Sequence, residues 1–509
     1  MLLFPGLKAQ KPMEKVDLAT MTFVRQNFTR NFYSDHKVIS ELNMEGSDLK
    51  LENAANLNIL SSGVLPAISQ EGRQLVWEAL DGKAAWAIVR VGSFHPYLCY
   101  ETTFETAQGS ETGISFFSDE VDDSGAPKNQ IQIIYKDGTV LSRILEAGKV
   151  QELEKAQVGQ LRKVRLRVQY TGLRLHVFLV KDSGETPLLF DSEKDMRAVD
   201  VMVRYSWGAF ASLPGGGRAT LLQARSMLST GTGQADPQII QTKSGKPLVK
   251  DGRLYLCLST RGFERIIDTF QGVYSLGLEG YDLKLEGALF FTKQDDVMYG
   301  FHATKVVWDE DEGQFLVITT THEDTHTLAW AKTRTDILHG IHLLNVTELD
   351  FPHAQSRMPG ANAEDPDFFY DAKAKKWRLS YCALHEGSYV TFLCQSKTWN
   401  GAYQLLAQSK ENNNTGIRQV DVGGKRYVLS GGSGTTFYIY DYPTLENLGT
   451  FRQRYPNGGF RGWPTIVPVD YGNYERYLWI TFDRGAQTGR YSYGTLYFYL
   501  SDQMWKKEQ

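Results

Sequence analysis

The sequence predicts an all-β protein, an N-terminal antiparallel β-sandwich (jelly roll) followed by a five-bladed β-propeller. Three observations carry this. Short runs of alternating apolar and polar residues, bounded by turn residues, fill the chain, and no helical run of note interrupts them. In the second half a strand–turn–strand plan led by an aromatic recurs five times. Between the halves lies a Gly/Ser/Thr-rich joint, STGTGQA at 229–235, which marks the domain boundary.

The 509 residues allow two to four domains at roughly 150 residues each. Hydrophobic residues make up 42% and charged residues 22%, an ordinary globular balance that excludes a disordered, collagen-like or coiled-coil chain. The net charge of −4 lacks the basic excess of a dedicated nucleic-acid binder. No apolar run reaches the roughly 18 residues of a membrane span.

The chain opens MLLFPGLKAQKP. A short apolar stretch running into small and polar residues reads as the tail of a secretory signal without its basic start. Residues 1–19 are therefore expected to be a signal remnant and arm, and the protein secreted or periplasmic.

Residues 20–228 carry strand patterns at 97–105, 130–135, 163–170 and 173–180, the last two joined by Thr171-Gly172, a hairpin signal. Arg165 and Arg167 share one face of their strand by its two-residue period. That face is read as a solvated sheet surface, with a basic ligand face as the alternative. The segment VRLRVQYTGLRLHVFL resembles a hairpin of the concanavalin-like (laminin G-type) jelly rolls.

From 229 to 509 the five repeats read DGRLYLCLS, DEGQFLVIT, AKKWRLSYC, GGKRYVLSG and NYERYLWIT. Their aromatic anchors are Tyr255, Phe315, Trp377, Tyr427 and Tyr477, spaced by 60, 62, 50 and 50 residues. Units of this length without helices fit propeller blades. In a propeller the first strand of each blade lines a central funnel, so the residues opening those strands face a common mouth. Ala235-Asp236-Pro237 opens the first, and Glu364-Asp365-Pro366-Asp367 the third. Asp365 precedes Trp377 by 12 residues, and the same offset falls on Ala303 beside His302 and on Thr415 in the fourth. Proline fixes φ and lacks an N–H, so each strand starts there and holds its Asp outside the ladder. An Asp-Pro pair is also a plain turn signal. At matching places of a repeat, however, two carboxylates in one cleft suit glycoside hydrolysis, where one group takes a proton from water and another protonates the leaving oxygen.

The second half resembles glycoside hydrolase family 43 and its relatives in the five-bladed propeller clan of families 32, 43, 68 and 117. ADPQII with DGRLYLCLSTRG is similar to that family's first-blade opening. EDPDFFYDAKAKKWRLSYCA is similar to its third-blade motif, and TDILHG to the end of a blade. The resemblance implies Asp236 as general base, Asp365 as the Asp that orients and tunes, and an inverting mechanism. The family's acid is a Glu in the turn opening the fourth blade, and here that turn reads Thr415-Gly416-Ile417. Glu411, four residues away, is the first choice of acid, with Glu364, Glu323 and His302 as other stand-ins.

Sugar faces suit aromatics and arginines, so His302 with Phe301, Arg418, and Arg461 with Trp463 are candidate substrate contacts. Arg418 is further expected to meet an anion or carboxylate, such as a uronic acid. LPGGGRAT lacks the GK[ST] of a phosphate loop. THEDTH at 321–326 is read as a polar loop rather than a metal site, and no metal or cofactor is expected beyond a structural cation in the propeller channel. Cys99, Cys257, Cys382 and Cys394 show no CxxC. The last two are either hairpin partners or buried small side chains. The expected protein is a monomeric, exo-acting glycosidase on plant or microbial glycans. The alternative is a propeller that has lost its acid and only binds carbohydrate.

Overall fold

The computed structural model describes residues 17–31, 37–42, 58–146, 148–262, 269–321, 326–353, 362–453, 462–484 and 493–506. The protein is all-β with a propeller-like arrangement, and one helix of six residues, Val199–Arg204, stands among the described residues. No helix there is long and apolar enough to cross a membrane. Two compact units are present: one from within 36–229 and 295–298, the other from within 1–35, 230–294 and 299–509.

The first unit holds two antiparallel sheets, of seven and eight strands. Residues 163–170 and 174–181 form the expected hairpin, with Tyr170 opposite Leu175. Tyr100 of one sheet meets Phe116 and Trp207 of the other edge-on, with centroids 4.8 and 5.2 Å apart. Arg165 and Arg167 do not form the solvated face expected of them. With Arg225 they converge on Glu101, at 2.8, 2.6 and 3.0 Å, and Glu101 is 0% exposed. Glu101 lies directly opposite Arg167 and Arg225 on the flanking strands, so the cross-strand register builds the cluster.

Among the described residues the second unit holds five sheets. Their leading strands are Gly233–Ile239, His302–Asp309, Ala363–Asp371, Thr415–Val422 and Thr465–Tyr471. Each leading strand touches the next, and the last touches the first, so they close a ring. The five anchors all sit in the second strand of their sheets. Tyr255, Phe315, Trp377 and Tyr477 are buried, and Tyr427 packs against the core from the side. Apolar clusters fill the spaces between successive sheets. Tyr255, Phe291 and Phe315 join the first two, and Val307, Phe368 and Trp377 the next two. Ile417 and Leu393 join the third and fourth, and Phe437 and Trp479 the fourth and fifth. Each such side chain contributes roughly 1.5–3 kcal/mol by leaving water.

The fifth sheet departs from the expected domain division. Phe23–Thr29 pairs antiparallel with Leu496–Ser501, Phe23 opposite Ser501. The last repeat supplies three long strands of its own and leaves an edge, which the start of the chain covers. Phe23 then packs on Trp479 and Phe451, at centroid distances of 5.8 and 6.2 Å.

All four cysteines are free and buried. Cys382 faces Thr391 and Cys394 faces Leu379, so the two are not ladder partners.

Candidate functional site

The first four leading strands share one irregularity. Each bulges between Ala235 and Gln238, His302 and Lys305, Glu364 and Asp367, or Thr415 and Arg418. Inside each bulge one residue is left-handed: Asp236 at φ 55°, Ala303 at 49°, Asp365 at 61° and Gly416 at 62°. Such backbone costs non-glycine residues of order 1–3 kcal/mol, and it clusters where side chains are aimed for function. Asp236 and Asp365 therefore hold equivalent places on the first and third strands, both buried.

The bulges also correct the register of the fourth strand. Gly416, not Thr415, is the counterpart of Asp365. Asp365 stands five residues before Tyr370, which faces Trp377, whereas Gly416 stands four before Val420, which faces Tyr427. Glycine is required at 416 because a Cβ there would lie 2.7 Å from the Trp463 ring. Thr415 thus corresponds to Glu364, His302 and Ala235, each the residue just before the left-handed one.

Asp365 is held from several sides. Its Oδ2 accepts from Thr415 Oγ1 at 2.9 Å and from the Gly416 N–H at 2.8 Å, with Cys382 Sγ at 3.5 Å. Its own N–H donates to Thr320 Oγ1 at 3.1 Å. Burial, then the charges of Glu364 and Asp236, push its carboxyl above the usual range, against the Gly416 N–H and Arg418. Asp236 Oδ2 accepts from Arg261 Nη2 at 2.8 Å. The Arg261 guanidinium stacks over Tyr493 at 4.5 Å.

Arg418 is buried. It lies over the Trp463 ring at 4.5 Å and donates from Nε to Thr465 Oγ1 at 3.2 Å. Burial lowers its pKa, while Asp367, Asp365 and Asp236 favour its charge. The anions that Arg418 meets are therefore the protein's own. Trp463 is buried too and donates from Nε1 to the Pro237 carbonyl at 3.0 Å, tying the fifth leading strand to the first beside Asp236. Below them Lys305 pairs with Asp367 at 2.9 Å, and Gln238 Nε2 donates to the Pro366 carbonyl at 3.0 Å.

Glu411 directs its carboxylate to Asn447 Nδ2 at 2.7 Å, on the outer strand of the fourth sheet. The carboxylate beside Asp365 is Glu364. Its Oε1 accepts from Tyr389 Oη at 2.5 Å and lies 3.1 Å from His326 Nδ1. The His302 and His326 rings stand 5.3 Å apart at 75°. Of THEDTH, His326 thus reaches the site rather than an unrelated loop surface. Arg461 and Glu323 lie outside the described residues, as do residues 1–16.

Sequence reasoning missed Arg261, His326, Tyr389, Tyr493 and Arg484. Asp236, Asp365 and Glu364 all act on the Arg484 guanidinium and favour its charge against burial. TRG in the first repeat held a signal for Arg261, since it ends the strand that pairs with Asp236's own.

No protein-family model matches the chain, and no curated protein matches it. Among solved structures it is similar to the inulosucrase of Halalkalicoccus jeotgali bound to kestose, at 13% identity and TM-score 0.36, over 54% of this chain and 86% of that one. A variant of the levansucrase of Bacillus subtilis aligns at 11% identity and TM-score 0.37, again over 54% and 86%. A carbohydrate-binding module from Bacillus subtilis aligns at 15% identity and TM-score 0.24, over 33% of this chain and 95% of that one.

Proposed function

We propose that the chain is an exported glycoside hydrolase, exo-acting and inverting, on plant or microbial glycans. In this reading the five sheets of the second unit are five blades around the site, and the two-sheet unit is a β-sandwich. The observation that carries the reading is the pair of buried carboxylates, Asp236 and Asp365, at equivalent left-handed bulges, close enough for one to raise the pKa of the other. Asp236 is assigned as the base that takes a proton from the attacking water. Asp365, fixed by Thr415 and Gly416, orients substrate and tunes the field. The leaving oxygen receives its proton from the group formed by Glu364, His326 and His302. Glu364 is preferred to Glu411 because it stands next to Asp365, at the strand position that Thr415 holds one blade on. Tyr493, Tyr389 and Arg484, all partly exposed, offer the ring faces and donors that sugars need.

The test is turnover of a panel of aryl glycosides and cell-wall oligosaccharides by the wild type and by Asp236→Asn. Hydrolysis that falls by about 10²–10⁴-fold in the variant, with the fold retained, supports the assignment. Full activity in the variant removes Asp236 as base. The second reading, a carbohydrate-binding propeller without turnover, is favoured by one observation: Thr415 in place of a carboxylate. Saturable binding of an oligosaccharide with no hydrolysis would establish it.

A further inference from the structure

We propose that His302, His326 and Glu364 form a binding site for one divalent transition-metal ion of the zinc class. Among the described residues these three bring a ligand atom each to within 4.8 Å of the others. Their placement is built in. His302 and Glu364 occupy the same position on neighbouring leading strands, each just before a left-handed residue. His326 is fixed against Glu364 through its backbone: its N–H donates to Asn362 Oδ1 at 3.1 Å, and its carbonyl accepts from the Ala363 N–H at 3.0 Å.

The donor set selects the ion. Two imidazoles and a carboxylate suit zinc and its neighbours, whereas calcium and magnesium prefer all-oxygen shells. Three protein ligands leave a coordination position for water or a sugar hydroxyl. Tyr389 Oη, on Glu364 Oε1 at 2.5 Å, is the outer partner that orients a ligating carboxylate. The negative charges of Asp365 and Asp236 nearby favour a cation, and Arg484 opposes it. Ligand atoms on a tetrahedral ion stand roughly 3.4 Å apart, so the most distant pair closes by about an ångström. Rotation of His326 and Glu364, at 20% and 16% side-chain exposure, provides that. Water on such an ion is acidified toward about pH 7. If the hydrolase reading holds, this water, on the ion held by the same three residues, gives its proton to the leaving oxygen and remains there as hydroxide, while Glu364 stays an unprotonated ligand. Metal binding itself does not depend on that reading.

The experiment uses the full chain, stripped with chelator, titrated with zinc chloride by calorimetry and assayed for bound metal after dialysis. One zinc per chain is expected, with a raised melting temperature and no displacement by calcium or magnesium. His326→Ala and Glu364→Gln should each weaken binding by at least about tenfold. Cobalt in place of zinc should give the visible absorption of a four- or five-coordinate site in the wild type and lose it in His302→Gln. That optical signature keeps the test valid if one variant folds poorly. Absence of stoichiometric zinc, zinc retained unchanged by the His302→Gln/His326→Ala double variant, or preference for calcium would each overturn the proposal. Asp236→Asn should cut turnover by about 10²–10⁴-fold yet keep the one-zinc stoichiometry and the cobalt spectrum of the wild type. Turnover by a protein that takes up no zinc would overturn the metal site and leave the hydrolase reading standing.

Discussion

Glu364 and Thr415 hold the same place on neighbouring strands, each the residue immediately before a left-handed bulge position, and Thr415 donates its hydroxyl across to Asp365, the residue next to Glu364. The carboxylate missing from the fourth sheet is thus found one sheet earlier. The first prediction follows from this exchange. Glu364→Gln should slow glycosides with poor leaving groups by about 10²–10⁴-fold, and activated aryl glycosides far less, since these need little protonation. Glu411→Gln should leave both near the wild-type rate, because that side chain is engaged with Asn447. Steady-state kinetics on paired substrates check it. Equal loss on both substrate classes in Glu364→Gln would count against its place in proton donation.

Gly416→Ala should destabilise the protein by about 2–4 kcal/mol, combining a left-handed backbone with overpacking. The added Cβ would stand 2.7 Å from Trp463 and 3.2 Å from Pro464. Chemical denaturation measures the loss, and a variant as stable as the wild type would show that the fourth bulge is not tightly packed.

Glu101 predicts a pH dependence. Burial pushes its carboxyl up, but Arg167, Arg165 and Arg225 more than offset this and hold it below its ordinary 4.5. A carboxyl depressed in the folded state contributes its full stability above the unfolded value, and the contribution fades as pH falls below 4.5 through the folded value. Glu101→Gln should cost about 3–5 kcal/mol at neutral pH by leaving the buried Arg167 guanidinium uncompensated. The gap to wild type should narrow in acid. Denaturant midpoints across that range test it, and a gap that stays constant with pH would refute it.

The cysteines should behave as buried thiols. Burial pushes Cys99, Cys257 and Cys394 up to about 12, so thiolate is scarce at neutral pH. A thiol reagent should label none of the four quickly in the native protein and all four after unfolding. Reductant should leave the melting temperature unchanged. Fewer than four reactive thiols after unfolding without reductant would reveal a disulfide.

What the sequence made legible were features with a local cause. The anchors Tyr255, Phe315, Trp377, Tyr427 and Tyr477 stood out because each packs at the same place after a short turn. Asp236 and Asp365 were readable because each is followed by a proline, although that proline falls inside the bulge of its strand rather than at the strand's start. Features made by distant segments were hidden. His326 reaches Glu364 through the backbone hydrogen bonds that tie it to Asn362 and Ala363, and Arg261 finds Asp236 through pairing of the first two strands. Glu411 was chosen for nearness in sequence to Thr415, but its loop turns the side chain to the outer strand. The one-residue slip that makes Gly416, not Thr415, the counterpart of Asp365 in the repeat comes from a fourth strand one residue shorter between its bulge and the partner of its anchor, which composition does not announce.

The strand Phe23–Thr29 covers the outer edge of the fifth sheet, on a partner that is made far later. During synthesis it must wait for this partner until Leu496–Ser501 emerges. The whole of 36–229 is made in between. The closing contact therefore spans nearly the full chain and cannot belong to any early nucleus. The nascent chain must keep Val24 and Phe28, exposed even in the finished protein, from pairing elsewhere while it waits. Arrival of Leu496–Ser501 is then the event that lets the fifth sheet complete its outer edge.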